Sequence, residues 1–283
     1  MTIKNKSEIT ELLKTKSIKN ISVYLNISQL TIYRFIKNNN IKNIIKKQNS
    51  YNYNNIFLHD TEESLYIAGF IAADGCVSGN SGNCLEIGLA QKDKLFLQKI
   101  NSYITNRSVS DKLVTKSCLM VVSNKEITKT LFEKFNITPN KSLTYSIPTW
   151  VLNHKLAHHF LRGYVDGDGC WKQSLNKNNH IQIYFKNSGT KIVMEQFLET
   201  FRKNINYEIK KYKIIQKQKN IYRLEFGGNC ICSKICNYLY KDATIYLDRK
   251  RNIAMLAESN IVKNIQITKK KILTRHFLNI KMA

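Results

Sequence analysis

The stretch Leu65-Tyr66-Ile67-Ala68-Gly69-Phe70-Ile71-Ala72-Ala73-Asp74-Gly75-Cys76 has a second copy in Phe160-Leu161-Arg162-Gly163-Tyr164-Val165-Asp166-Gly167-Asp168-Gly169-Cys170. The two align without a gap. Gly69 and Ala73 lie at i, i+4 in the first copy, as do Gly163 and Gly167 in the second. Small residues at that spacing clear one face of a helix, so another helix backbone can come close. Glycine inside a helix costs roughly 1 kcal/mol relative to alanine, so these faces predict two helices packed on each other. Each helix is expected to end at Asp-Gly, with Gly75 and Gly169 as caps. An aspartate in the last turn faces the negative end of the helix dipole, at a cost of roughly 0.3–1 kcal/mol. Folding does not ask for it. Side by side, the helices would bring Asp74 and Asp168 together at their ends, and two converging carboxylates suit a divalent cation. A pair of ordinary Asp-Gly turns is the competing explanation, which repetition of the whole motif disfavours.

Outward from the motifs, the pattern repeats again. Leu85 to Ala90 alternates like a strand, Lys94 to Ile104 is helical, Val109–Thr115 and Leu119–Ser123 read as a hairpin, and Glu126–Phe135 as a helix. After the second motif come a strand over Ile181–Phe185 and a helix over Lys191–Phe201. A hairpin over Glu208–Ile215 and Ile221–Phe226 follows, then a helix near Cys232–Tyr240. In Tyr222-Arg223-Leu224-Glu225-Phe226 the apolar residues share one face, leaving Lys211, Lys213 and Arg223 as candidates to meet a polyanion; a solvated sheet face explains each of them equally well.

The chain has 283 residues, with 45 Lys+Arg against 20 Asp+Glu, a net charge of +25. That points to nucleic acid first and an anionic membrane surface second, although a biased nucleotide composition also inflates lysine. A hydrophobic content of 43% excludes a disordered chain. The longest apolar run, Leu65 to Ala73, is far short of the roughly 20 residues that cross a bilayer. No secretory signal is read at the start, and seven cysteines fit reduced, intracellular thiols. Cys230, Cys232 and Cys236 lack the paired spacing of a zinc site, and the i, i+4 pair fits a buried helix face.

Residues 1–58 hold ten basic and two acidic side chains, and 261–283 six basic and none acidic. Near the start, Ile18, Ile21, Ser22 and Leu25 share a helical face; Asn26-Ile27 breaks it and Ser28 is placed to cap a second helix. This predicts a helix-turn-helix whose exposed Gln29, Thr31, Tyr33, Arg34 and Lys37 would contact DNA. An ordinary helical hairpin is the alternative. The expected organisation is a helix-turn-helix unit over 1–45, a linker over 46–58, a first repeat over 59–150, a second over 151–260 and a basic extension over 261–283.

Ile67–Gly75 and Leu161–Gly169 resemble the paired LAGLIDADG motifs of homing endonucleases, and the resemblance covers most of 59–260. It implies an α+β fold: a pseudo-twofold duplicated α-β-β-α-β-β-α unit with two saddle-shaped antiparallel sheets, here with the small all-α helix-turn-helix unit in front. It implies a monomer that cuts both strands of a double-stranded DNA target with Mg²⁺. Metal binding is carried over to Asp74 and Asp168, together with Gly75 and Gly169. A Gln or Lys after the second strand matches Gln91, with Lys186 as its repeat partner. A basic residue after the last helix of each repeat matches Lys141, and Lys250 within Asp248-Arg249-Lys250-Arg251. The sixth motif position is Asp166 in one copy and Ala72 in the other. An RNA maturase bound to its own intron and a non-cleaving DNA-binding regulator use the same scaffold. The setting implied is a mitochondrion, a plastid or a phage-infected cell.

Overall fold

The computed structural model describes residues 3–16, 18–39, 41, 51–78, 83–175 and 180–281. Two compact units divide the chain, 1–52 and 53–283. The first consists of helices α1 (Ile3–Thr15), α2 (Ile18–Tyr24) and α3 (Gln29–Asn38). Its core is Ile9, Leu13, Ile21, Ile32, Phe35, Ile36 and Ile41. Between α2 and α3, Asn26 takes φ +50°, and the Ser28 hydroxyl accepts from the Thr31 N–H at 3.1 Å. That bond satisfies an otherwise orphaned amide and starts α3 at Gln29.

The second unit opens with the motif helix α4 (Glu62–Asp74), then β1 (Gly75–Ser78), β2 (Cys84–Ala90), α5 (Lys94–Ile104), β3 (Ser110–Lys112), β4 (Ser117–Ser123) and α6 (Lys125–Phe135). A short helix α7 (Thr149–Asn153), capped by Pro148, crosses to the second half. There α8 (Ala157–Asp168), β5 (Cys170–Leu175), β6 (Ile181–Gly189), α9 (Lys191–Asn204), β7 (Lys213–Gln218), β8 (Ile221–Gly227) and α10 (Asn229–Leu239) repeat the order. Helix α11 (Asp248–Lys281) follows. The sheets are antiparallel, in orders β1-β2-β4-β3 and β5-β6-β8-β7, so each half has one topology. Alternation sets one buried face per sheet: Leu85, Ile87, Cys118, Met120 and Val122 in the first, Ile183, Phe185, Leu224 and Phe226 in the second.

Some boundaries differ from the sequence reading. Of the expected linker, 46–50 lie outside the described residues. From Tyr53, bridged to Thr105, the chain already belongs to the second unit, and Phe57 is fully buried in its core. No break separates a repeat from an extension at 260, because α11 runs through it; 282 and 283 lie outside the described residues. Strand β7 starts at Lys213 rather than Glu208, because the Lys219-Asn220 turn, with Asn220 at φ +62°, sets Lys213 opposite Glu225. Among the described residues no helix is long and apolar enough to cross a membrane.

Candidate active site at the paired motif helices

The small residues bring α4 and α8 together at backbone distance. A Cβ placed on Gly163 would lie 1.9 Å from the Tyr66 carbonyl oxygen, and one on Gly69 2.0 Å from that of Phe160. At the next turn a Cβ on Gly167 would meet the Ala73 Cβ at 2.4 Å. Alanine is therefore tolerated at 73 only because its counterpart is glycine. All four expected interface residues stand in this seam. Gly75 and Gly169 are the C-caps of α4 and α8, as expected, their N–H groups donating to the Ile71 and Val165 carbonyls, but not in the left-handed form. Gly75 and Gly169 have φ of −78° and −85°, extended backbone that any residue adopts. Glycine is needed there for room: a Cβ on Gly75 would sit 2.8 Å from the Ile71 carbonyl oxygen, and one on Gly169 2.5 Å from that of Val165.

Both helices end together, and the Asp74 carboxyl carbon lies 3.4 Å from where a Cβ on Gly167 would stand. Asp74 and Asp168 are open to solvent at their tips and hemmed in by protein behind. Burial of its surroundings, then the charge of Asp74, push the Asp168 carboxyl up to about 6. Asp74 is raised by burial, opposed by Lys250, Lys141 and Arg249. The pair thus loses its first proton more easily than its second.

Two buried lysines stand at the helix ends. The Lys141 ammonium donates to the Gly75 carbonyl at 2.7 Å. Lys250 donates to the carbonyls of Val165, Asp166 and Gly167 at 3.0, 2.6 and 2.7 Å, occupying the orphan acceptors at the end of α8. Burial lowers both lysine pKa values, and the aspartates oppose the shift. Neighbouring Arg249 instead grips Asp93 with two nitrogens, and Arg251 lies over the Tyr246 ring at 4.4 Å, so Lys250 is the member of 249–251 that reaches the motif.

Other predicted residues fall elsewhere. Gln91 leaves β2 for a short turn, and its amide donates to Asp111 at 3.0 Å. Lys186 is not its repeat partner. Cys76 pairs with Glu86 and Cys170 with Lys186, so in register Lys186 is the counterpart of Glu86, whereas Gln91 lies beyond β2 in the turn before α5. Lys186 lies on the solvent face of the second sheet, in a row with Glu225 and Lys213. Glu225 holds Lys186 at 3.8 Å and Arg223 at 2.5 Å. Lys211 precedes β7. On α3, Gln29, Tyr33, Arg34 and Lys37 are exposed, whereas Thr31 is half-buried and tied to Ser28.

One buried network escaped the sequence reading. Asp166, 2% exposed, accepts from the Tyr66 hydroxyl at 2.7 Å and the Leu247 N–H at 2.8 Å. Burial raises its pKa to about 6. Arg162, with no exposure, bonds Glu62 at 2.6 Å, His159 at 2.7 Å and the carbonyls of Leu239 and Ile245. Arg162 and Asp166 at i, i+4 inside an apolar helix were the available signal.

Does the site suit a metal? The donors that converge are two carboxylates whose mutual repulsion a cation would relieve. Oxygen donors alone favour a hard ion such as Mg²⁺ or Ca²⁺. Among the described residues no group of three or more His, Cys, Asp or Glu forms a metal cluster, so water and substrate oxygens would complete the shell. The Gly75 carbonyl already accepts from the Lys141 ammonium, so as a ligand it would share that oxygen between the lysine and the cation. Cys232 and Cys236 lie on the buried face of α10.

A duplicated α-β-β-α-β-β-α body joined along two motif helices is the two-sheet LAGLIDADG fold. Residues 61–136, spanning the first repeat, match the LAGLIDADG-like domain family. Among solved structures the chain is similar to the I-LtrWI LAGLIDADG homing endonuclease bound to target DNA, at 14% identity over 74% of this chain and 97% of that one, with a TM-score of 0.51. It is also similar to the LAGLIDADG homing endonuclease I-GzeII in complex with its DNA target, at 13% identity over 71% and 91% with a TM-score of 0.51. A third is I-SmaMI bound to uncleaved DNA target in the presence of calcium ions, at 14% identity over 71% and 92%, TM-score 0.51. Identities this low make the likeness one of fold. No curated protein sequence matches the chain.

Proposed function

We propose that the chain is a site-specific endonuclease that hydrolyses both strands of a double-stranded DNA target. The convergence of Asp74 and Asp168 at the glycine-packed seam carries this reading. There a chain of charge +25 presents two neighbouring carboxylates, open to solvent, with buried lysines behind them. Asp74 and Asp168 would hold Mg²⁺ ions. Bound there, the ions supply activation of water and neutralisation of the leaving oxygen. Lys141 and Lys250 hold positive charge beside the carboxylates, which keeps Asp74 and Asp168 closer to the ionised form a cation needs. Fixed cations there would also favour the charge that develops on the scissile phosphate.

The solvent faces of the two sheets are the surfaces for the duplex. The second offers Lys172, Lys186, Lys213 and Arg223 on neighbouring strands, suited to phosphate contacts. The α1–α3 unit, with Gln29, Tyr33, Arg34 and Lys37 exposed on α3, adds a flanking contact as a helix-turn-helix. Such tethering raises affinity through effective concentration. Asp74→Asn and Asp168→Asn should each abolish Mg²⁺-dependent linearisation of a plasmid bearing the target, while binding to the same DNA persists in a mobility-shift assay. Full cutting by either variant would sink the assignment. Wild-type binding without cutting would favour a regulator, and preferential binding to an intron transcript a maturase.

A further inference from the structure

The solvent faces of the two sheets carry opposite charge at equivalent points. In the first sheet Cys76 of β1, Glu86 of β2 and Val121 of β4 stand side by side. In the second the same row is Cys170 of β5, Lys186 of β6 and Glu225 of β8. Cys76 and Cys170 each follow a motif aspartate by two residues, so the duplication relates the two rows. A carboxylate in one half answers to an ammonium in the other.

Glu86 is the anomaly in a chain of charge +25. It alternates with buried Leu85 and Ile87 and so stands half-buried on the solvent face. Among the described residues it has no ion pair. The Ser78 hydroxyl donates to its Oε1 at 3.3 Å and the Cys84 thiol at 3.9 Å. Both bonds end on one oxygen, which leaves Oε2 without a donor among the described residues. Gly88, Leu119 and Val121 beside it are uncharged. Glu86 is not a further metal ligand, since no group of three or more His, Cys, Asp or Glu among the described residues could hold an ion. The Lys186 ammonium lies 3.8 Å from Glu225, beyond hydrogen-bond reach, and Arg223 holds that carboxylate at 2.5 Å.

A carboxylate on a surface that meets a polyanion weakens binding unless a donor meets it. In the major groove two bases offer a donor, cytosine through N4 and adenine through N6. Adenine sets its N7 acceptor beside that amino group, where it repels a carboxylate; cytosine has no acceptor there. Lysine has three donors and no acceptor. At the equivalent point Lys186 can therefore meet only acceptors, the guanine edge or a phosphate.

We propose that Glu86 is a specificity-determining residue that reads a cytosine in the half-site under the first sheet, its Oε2 accepting from the N4 amino group. Lys186 rejects that donor at the mirror position, so the target is not palindromic at this base pair. The inference rests on the endonuclease reading, in which the solvent faces of both sheets meet the duplex.

The test uses the full chain in EDTA, which prevents cleavage, to select duplexes from a library with a randomised segment long enough for both sheets. The bound DNA is sequenced. Wild type should enrich a motif with cytosine at one position and no cytosine at the mirror position. Glu86→Lys should replace that cytosine by guanine and leave the rest of the motif in place. Glu86→Gln should replace it by adenine, the base a side-chain amide pairs with. This variant is isosteric and keeps the fold, so it decides the matter if Glu86→Lys melts early. In a direct titration, changing the cytosine of the selected duplex to guanine should weaken wild-type binding about 5- to 150-fold and should not weaken Glu86→Lys. One motif shared by wild type and both variants would overturn the assignment and leave the endonuclease reading in place. Tighter binding by both variants with no base changed would assign Glu86 to repulsion of the backbone, and would also overturn it. A wild-type chain that enriches no sequence would sink the endonuclease reading and this inference with it.

Discussion

Gly163→Ala adds one methyl group where the structure has no room for it. The new Cβ would lie 1.9 Å from the Tyr66 carbonyl oxygen and 2.9 Å from the Phe70 N. Real Cβ contacts do not fall below 3.0 Å, so α4 and α8 must part locally by at least 3.0 − 1.9 = 1.1 Å. Rotation of a side chain cannot relieve the clash, since the obstructing atoms are backbone. The seam is core: Tyr66, Phe70, Phe160, Leu161 and Tyr164 are 0–3% exposed. A gap of about 1 Å forfeits a quarter to a half of the dispersion energy across it. Overpacking of this kind costs about 3 kcal/mol, the upper part of the usual range. For a body of this size that is a fall in Tm of roughly 6–12 °C. Because the helices carry Asp74 and Asp168, a misplacement near 1 Å should also slow single-turnover cleavage about 100-fold. Gly88→Ala is the control for stability, since its Cβ would find only Leu119 at 3.9 Å, and it should stay within about 0.5 kcal/mol of wild type. A Gly163→Ala protein melting within a degree of wild type would refute the close-packed seam.

In EDTA, the stability effect of Asp168→Asn should depend on pH. The folded pKa of about 6 lies above the ordinary 3.8, so the stabilising contribution of Asp168 is fully present below about pH 4 and is lost as pH rises through 6. The neutral amide should therefore raise Tm at pH 7.5 and leave it nearly unchanged at pH 4; an equal effect at both would refute the shift. Lys250→Met strips three carbonyls of their ammonium donor and should destabilise the body by roughly 1.5–3 kcal/mol in chemical denaturation, with Lys250→Arg failing to restore it because a planar fork cannot replace a point donor. Arg162→Met leaves Glu62, 14% exposed, without its guanidinium and should cost about 3–5 kcal/mol by the same measurement. Ser28→Ala removes the cap of α3 and should lower the stability of the small unit alone by about 1 kcal/mol, read by amide exchange in α3.

Duplication is what made the fold legible. Two gapless copies, each followed by strands of period two and helices of period 3.6, predict the same sheet twice, and α5 was bounded to the residue. Illegible features depended on register or on burial of polar groups. The offset of Lys186 from Gln91 becomes visible only when Cys170 is seen opposite Lys186, because the second strands differ in length. The short β1 and β5, directly after the motifs, give too few residues for alternation to register. Gly75 and Gly169 look like left-handed caps in sequence, yet serve a steric need set by Ile71 and Val165 one turn earlier. Lys141 and Lys250 could be placed after the last helix of each repeat, but the sequence holds no sign that both are buried.

The sixth and eighth motif positions diverge for reasons the structure makes physical. The eighth, Asp74 and Asp168, ends each helix where solvent is open. The sixth points inward, so its chemistry is settled by what the opposite half presents. Asp166 meets the Tyr66 hydroxyl of α4 and the Leu247 N–H, three residues before Lys250, and so ties the turn that delivers Lys250 to the other motif helix. Ala72, 4% exposed, occupies the first copy's position, and Lys141 arrives instead through a turn opened by Asn140 at φ +58°. Replacing Asp with Ala at position six thus removes an internal anchor and no metal donor. The electrostatics cross the seam as well. Lys141, from the first repeat, is held in its charged form more by Asp168 than by Asp74, whereas Lys250, from the second, is held first by Asp166 of its own repeat and, of the two site aspartates, more by Asp74 than by Asp168. Each site carboxylate thus feels the opposite repeat's lysine more than its own, while each lysine bonds the carbonyls at the end of its own motif helix, so the two halves build the site jointly across the seam.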